Sequence, residues 1–267
     1  MFRKILITGV CGFLGSYLAK ELINNGFSVV GVDISPDTTR IRSIINNARF
    51  HFISKDVTNE DDCKSVFYKN PEIGIVIHLA ELGIESDLTS AINIMSRCFQ
   101  KPSMKFVYVS NDINSLDEIN NYRDSIRLAV ESIIRGFCQL YGLESYIFKV
   151  PEILGRYETD STVEYIIKTL KVTDKIPVHN YSKGFVYIKE VIQTILERVG
   201  KGIERSVNIL AFNSNKVSID YVTDRIGKEL KVHPVKQVLE VNTNLHVTKI
   251  DPKVTSEEAI EKAIVEV

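Results

Sequence analysis

The chain has 267 residues, 44% of them apolar and 25% charged, the balance of a folded globular protein, which excludes disorder as its main state. Lys and Arg total 33 against 34 Asp and Glu, a net charge of −1, so the basic excess of a general polyanion binder is missing and nucleic acid is not an expected partner. No apolar run approaches the ~20 residues that span a bilayer, so no membrane partner is expected either.

The opening Met1-Phe2-Arg3-Lys4 and the apolar stretch after it imitate a secretory leader, and Cys11 imitates a lipidated cysteine. Glycines at 9, 12 and 15 interrupt that stretch, Lys20 and Glu21 follow it, and bulky Val10 precedes the cysteine, so the segment reads as a buried strand and a turn. Lys4–Thr8 is predicted as the first strand. Leu14, Tyr17, Leu18 and Leu22 mark one face of a helix that Gly26 stops. Strands are predicted over 28–33, 50–53, 73–79, 105–110 and 145–150. Helices are predicted over 58–68, capped by Asn59 or Thr58, and over 124–141, stopped by Gly142. Nearly all-apolar strands separated by helices predict an α/β fold, a parallel sheet covered on both faces. Past Pro151 the rhythm loosens: a helix near 163–170, a loop with Pro177 and His179, a short strand at 184–188, a helix at 190–199, a strand at 207–210 and a helix at 219–230. Residues 1–150 plus 184–200 are expected to form one domain, and 151–183 plus 201–267 a smaller lobe.

Cys11, Cys63, Cys98 and Cys138 are scattered without a C-x-x-C pair, which fits reduced thiols and a cytoplasmic location. The five histidines have no metal-ligand spacing, so no metal site is expected.

The strongest motif is Thr8-Gly9-Val10-Cys11-Gly12-Phe13-Leu14-Gly15, between the first strand and the first helix. Small residues there allow a sharp turn, close approach of the backbone to a pyrophosphate, and tight packing of helix on sheet. The helix N-terminus offers free N–H groups to the phosphate. Asp33 follows 18 residues after Gly15, at the end of the second strand. A carboxylate there accepts hydrogen bonds from a ribose diol and repels a 2′-phosphate, so NAD is favoured over NADP. Arg40 and Arg42 lie nearby and keep NADP open. Cys11 reads as packing within the turn.

T-G-x-x-G-x-x-G resembles the extended short-chain dehydrogenase/reductase family, the NAD-dependent epimerases and dehydratases of nucleotide sugars. The resemblance continues through Asp56-Val57, Ile77-His78-Leu79-Ala80, Phe106-Val107-Tyr108-Val109-Ser110, Tyr141-Gly142-Leu143, Glu152-Ile153-Leu154-Gly155, Lys183-Gly184-Phe185-Val186-Tyr187-Ile188 and Pro252–Ile264. It implies a doubly wound Rossmann domain with a small C-terminal substrate lobe. It also implies that Gly9, Cys11, Gly12, Phe13, Leu14, Gly15, Asp33, Asp56, Val57, Leu79, Ala80 and Ser110 contact NAD. Glu152 and Lys183 are then substrate-binding candidates; Lys183 stands where relatives place an Arg on the nucleotide diphosphate, and a solvated lysine is its favoured reading. The family's long helix pairs with its twin, so a homodimer through 124–141 is expected.

The family works with a Tyr-x-x-x-Lys pair on that helix and a Ser or Thr after the fifth strand. Aligning Leu128 and Glu131 with the family's L-x-x-E puts Arg123 at the Tyr position and Arg127 at the Lys position. Aligning Tyr122 with the Tyr puts Ile126 at the Lys position. Arginine does not act as an acid or base in proteins. Tyr122 and Arg127 are five residues apart, ~500° of helix rotation, and do not share a face. Asn111 and Asp112 stand where relatives carry Ser or Thr; Asp112 reads as a surface-turn residue, with a base as the alternative. Glu81 replaces the second Ala of H-L-A-A, either entering the nicotinamide site or capping a turn. His78 reads as a strand-end packing residue. The catalytic candidates are Tyr122, Arg127, Asp112 and Ser110. Two functions lead: an NAD-dependent enzyme acting on a nucleotide sugar by hydride transfer, and a non-catalytic relative that uses bound NAD(P) for sensing or partner binding; a third, weaker reading is an atypical reductase using Asp112 or Tyr122.

Overall fold

The computed structural model describes residues 4–81, 83–101, 103–112, 122–156, 158–159, 161–179, 182–200, 207–239 and 254–266, without the side chains of 84, 122, 177–179, 237–239 and 265–266. In chain order the first elements are β1 (Lys4–Thr8), α1 (Phe13–Asn24), β2 (Ser28–Asp33), β3 (Phe50–Ser54), α2 (Glu60–Lys69), β4 (Ile73–His78), α3 (Ile84–Cys98), β5 (Lys105–Asn111), α4 (Tyr122–Tyr141) and β6 (Glu144–Val150). They are followed by β7 (Glu152–Leu154), α5 (Thr162–Val172), β8 (Lys175–His179), β9 (Ser182–Lys183), β10 (Phe185–Tyr187), α6 (Ile188–Val199), β11 (Val207–Ala211), β12 (Val217–Ser218), α7 (Ile219–Leu230), β13 (Val235–Leu239) and α8 (Ser256–Glu266).

The chain divides into two units. Among the described residues, the first comprises those within 4–112, 122–149 and 192–210, and the second those within 150–191 and 211–266. Gly184–Val191 therefore falls in the second unit and Val207–Leu210 in the first.

The first unit holds a seven-stranded sheet in the order β11-β6-β5-β4-β1-β2-β3. β1 pairs in parallel with both β2 and β4, and the strand order reverses between β1 and β4. This is a doubly wound sheet, and its crevice lies at the carboxyl ends of the strands beside that reversal. Every residue of β4 and of β6 is buried, as expected for strands covered on both faces. Leu6, Val76, Phe106 and Ile147 sit in one core with Ala91, Ile94, Met95 and Cys98 of α3 and Val130 and Ile134 of α4. Burying each larger side chain contributes roughly 1.5–3 kcal/mol. Two ion pairs are sealed in this unit: Lys105–Glu144 at 3.1 Å and Lys149–Glu131 at 3.2 Å.

Local chemistry explains the ends. Asn59 caps α2 by accepting from the N–H groups of Asp61 and Asp62. α1 ends before Gly26, whose φ of +87° turns the Phe27 N–H back to the Leu22 carbonyl at 3.0 Å.

In the second unit β7 pairs with β10, β9 with β12, and β8 with β13. Ser256 stitches α8 to β10: its hydroxyl accepts from the Phe185 N–H at 3.2 Å and donates to the Asn215 carbonyl at 2.6 Å.

One expectation about the elements is corrected. The stretch expected as a loop with Pro177 and His179 is strand β8. A proline is tolerated there because both strands of a two-stranded sheet are edges, and the partner strand lies far downstream. The helix region before Lys105 is α3, whose helical spacing is carried by Ala91, Ile94, Met95 and Cys98. Pro252, part of the resemblance, lies outside the described residues.

Candidate functional site

β1 ends in the glycine turn. Gly9 has φ +71°, and a Cβ on it would lie 2.7 Å from the Leu79 carbonyl oxygen and 2.9 Å from the Ala80 nitrogen. Only glycine lets the turn lie flat against the residues that follow β4. The Gly9 N–H bonds the Val32 carbonyl at 2.9 Å, which ties the turn to β2. A Cβ on Gly15 would meet the Gly9 oxygen at 2.2 Å, so α1 packs its first turn directly on this bend. The N-cap of α1 is Gly12, no side chain caps the helix, and no acidic residue occupies its first turn. A Cβ on Gly12 would meet only the Gly9 oxygen, at 3.1 Å. The N-termini of α2, α5 and α7 are instead closed by Asn59, Ser161 and Ser218.

Asp33 reaches back to the turn: Oδ2 accepts from the Cys11 N–H at 2.8 Å and Oδ1 from the Ser35 N–H at 2.9 Å. Burial pushes the Cys11 thiol up to about 12, with Asp33 and Asp37 adding to the shift, so it stays protonated at neutral pH. Phe13 and Leu14 open α1. Asp56 turns toward Thr58, whose N–H and hydroxyl it accepts at 2.8 and 2.7 Å, and Val57 is buried.

Thr8 joins β1 to β4. Its hydroxyl oxygen accepts from the N–H groups of Leu79 (3.2 Å) and Ala80 (3.3 Å) and lies 2.7 Å from His78 Nδ1. The Thr8 proton is then donated to Nδ1. The hydrogen sits on Nε2, 3.3 Å from Ser90 Oγ, while the Ser90 hydroxyl donates to the Asp87 carbonyl at 3.0 Å. Burial lowers His78 from 6.5 to about 4. It is a structural residue, as its strand-end position suggested.

This histidine makes stability depend on pH. The unfolded chain takes up its proton below 6.5, while the folded chain resists until about 4, so stability is lost as pH falls through that window. The wild type is expected to lose up to about 3 kcal/mol more than His78→Asn across it. Urea unfolding at the two ends of the window measures the difference; equal losses would contradict a buried neutral imidazole.

At the carboxyl end of β5, Ser110 Oγ and Asn111 Oδ1 are buried without a hydrogen-bond partner. Asn111 Nδ2 donates to Asp124 Oδ1 at 2.8 Å, tying β5 to the start of α4. Asp112 is half-buried at the following bend and has a polar partner there. Tyr122 begins α4, and its side chain lies outside the described residues. Arg127 donates to Glu81 Oε1 at 2.7 Å. Both residues are candidates from sequence alone, but their pairing is not legible there, since nothing local links positions 81 and 127. The turn at Gly83 is capped by Asp87, whose Oδ1 accepts the Gly83 N–H at 3.2 Å.

In the second unit, Glu152 accepts from the Thr162 N–H at 2.5 Å and the Thr162 hydroxyl at 2.7 Å, and pairs with Lys183. The Lys183 side chain stays 38% exposed, and its ammonium also donates to Thr162 Oγ1 at 3.1 Å. The carboxylate occupies the start of α5, where the helix dipole and N–H groups favour an anion.

Among the described residues no group of three or more His, Cys, Asp or Glu is arranged to hold a metal, and no helix is long and apolar enough to cross a membrane.

Residues 5–110 match the NAD dependent epimerase/dehydratase family. An uncharacterized protein of Methanocaldococcus jannaschii is 25% identical over 98% of this chain and 95% of its own. The fold is similar to that of dTDP-glucose 4,6-dehydratase from Bacillus anthracis in complex with NAD, with TM-score 0.84, 15% identity, and 99% and 96% of the two chains covered. It is also similar to UDP-glucose 4-epimerase of Thermotoga maritima with UDP-glucose, with TM-score 0.80, 17% identity and 98% of each chain covered.

Proposed function

We propose, for a chain that belongs to the NAD dependent epimerase/dehydratase family through its residues 5–110, that it binds NAD at the glycine turn and acts on a nucleotide sugar by hydride transfer. The observation that carries the cofactor reading is the uncapped, acid-free start of α1 above a turn where a Cβ on Gly12 would meet a single atom, the Gly9 oxygen. Gly9, Cys11, Gly12, Phe13, Leu14 and Gly15 would hold the diphosphate, and Asp33 the ribose diol. Asp56, Val57, Leu79, Ala80 and Ser110 would line the remaining length. The unpartnered Ser110 and Asn111 oxygens fit a polar ligand group at the end of β5. NAD, when bound, supplies a hydride acceptor.

The chain's own proton-transfer groups are less complete. Arg127 provides positive charge at the family's Lys position but is engaged by Glu81. Tyr122 and Arg127 stand five positions apart on α4, off a common face. That engagement favours the second reading, a non-catalytic relative that keeps NAD for sensing or partner binding. Glu152 and Lys183 remain the proposed substrate contacts, and a homodimer through α4, where Leu140 is 78% exposed, is part of the proposal.

Calorimetry tests the cofactor: NAD is expected to bind at least about tenfold tighter than NADP, because the Asp33 carboxylate opposes a 2′-phosphate. Absence of heat with both would end the reading. A panel of UDP- and dTDP-sugars then separates the two functions. Turnover lost in Tyr122→Phe supports the enzyme, and tight NAD binding without turnover supports the non-catalytic relative.

A further inference from the structure

In a doubly wound sheet each half, β1–β2–β3 and β4–β5–β6, takes one mononucleotide of a dinucleotide. Asp33 ends β2, which assigns the adenosine to that side and the nicotinamide to the ends of β4 and β5. Glu81 stands there, one residue beyond Ala80, whose N–H is held by Thr8 and which lies against Gly9. Arg127 of α4 meets it at 2.7 Å, and the two side chains are 25% (Arg127) and 50% (Glu81) exposed. Opposite charges are thus held together at the nicotinamide end of the sheet, where neither is sealed from a ligand.

Oxidised nicotinamide is a pyridinium cation and reduced nicotinamide is neutral. A carboxylate facing the ring favours the oxidised form, a guanidinium the reduced form, and a tight pair nearly cancels. We propose that the Glu81–Arg127 ion pair balances charge at the nicotinamide and so sets the relative affinity of this protein for NAD+ and NADH. The proposal rests on the reading of the glycine turn as an NAD site. Asp124 and Tyr108 also act on Arg127, but they are the same in every variant below.

The test is calorimetric titration of NAD+ and of NADH into the wild type, Glu81→Gln, Arg127→Met and the double variant. Thermal melts verify that each is folded. Glu81→Gln leaves Arg127 unmatched and is expected to shift the affinity ratio toward NADH by about five- to tenfold. Arg127→Met leaves Glu81 unmatched and should shift it toward NAD+ by a similar factor. The double variant should return close to the wild-type ratio, and it remains informative if one single variant fails to fold. A pair that merely braces α4 against the loop after β4 would weaken both forms alike. Ratios unchanged, or moved in the same direction in both single variants, overturn the inference while leaving the NAD site standing. Binding of neither form to the wild type removes both.

Discussion

Gly15→Ala is expected to cost at least about 3 kcal/mol of stability and to abolish dinucleotide binding. The added Cβ would lie 2.2 Å from the Gly9 carbonyl oxygen and 3.0 Å from Val10 Cα, both backbone atoms of the turn. Neither can swing aside like a side chain. Gly9 is pinned by its N–H bond to Val32 on one side and by Leu79 and Ala80 on the other. Relief therefore requires α1 to lift from the sheet, which uncovers Leu18 and Leu22 and distorts the N-terminus that would receive a diphosphate. Gly12→Ala is the contrast. Its Cβ meets a single atom at 3.1 Å, so the fold is expected to survive with a small loss, while NAD affinity falls at least about tenfold because the methyl group stands where the phosphate approaches. Chemical denaturation with calorimetry distinguishes the two; equal behaviour of the two variants would contradict the turn geometry.

Lys149→Met is expected to cost about 3–5 kcal/mol, as removing one member of a buried ion pair leaves a charge without its partner. Lys149 on β6 and Glu131 on α4 are 5% and 2% exposed, and Glu131 Oε1 has no hydrogen-bond donor. Arg135 lies 3.6 Å from Glu131 Oε2 but is half-exposed and compensates little. Replacing both, Glu131→Leu with Lys149→Met, is expected to recover most of the loss, because the desolvated pair gives way to apolar packing. Urea unfolding of the three variants measures this. A double variant as unstable as the single one would show that the pair does more than neutralise itself.

Periodic and local features were legible in the sequence. The strands from β1 to β6 could be read because each is a short apolar run bounded by turn residues. α1 and α4 could be read because glycines at 26 and 142 stop them. The glycine turn and Asp33 were legible because their spacing is itself the chemistry. The sequence did not reveal that Asp33 already bonds the Cys11 N–H, since a carboxylate expected on a ribose gives no sign of an additional backbone partner. Contacts between distant positions stayed hidden for the same reason: Arg127 with Glu81, Lys149 with Glu131, and β8 with β13 depend on tertiary placement, which no window of sequence encodes. The pairing of Lys183 with Glu152 was hidden likewise, because the two lie on different strands.

A crystal structure of the protein grown with NAD+ bears most directly on the account. The diphosphate is expected against the first turn of α1, within hydrogen-bond reach of the backbone N–H groups that follow Gly12, with the adenine ribose hydroxyls on Asp33. A well-ordered dinucleotide bound elsewhere, or a saturated crystal with the glycine turn bare, would contradict it.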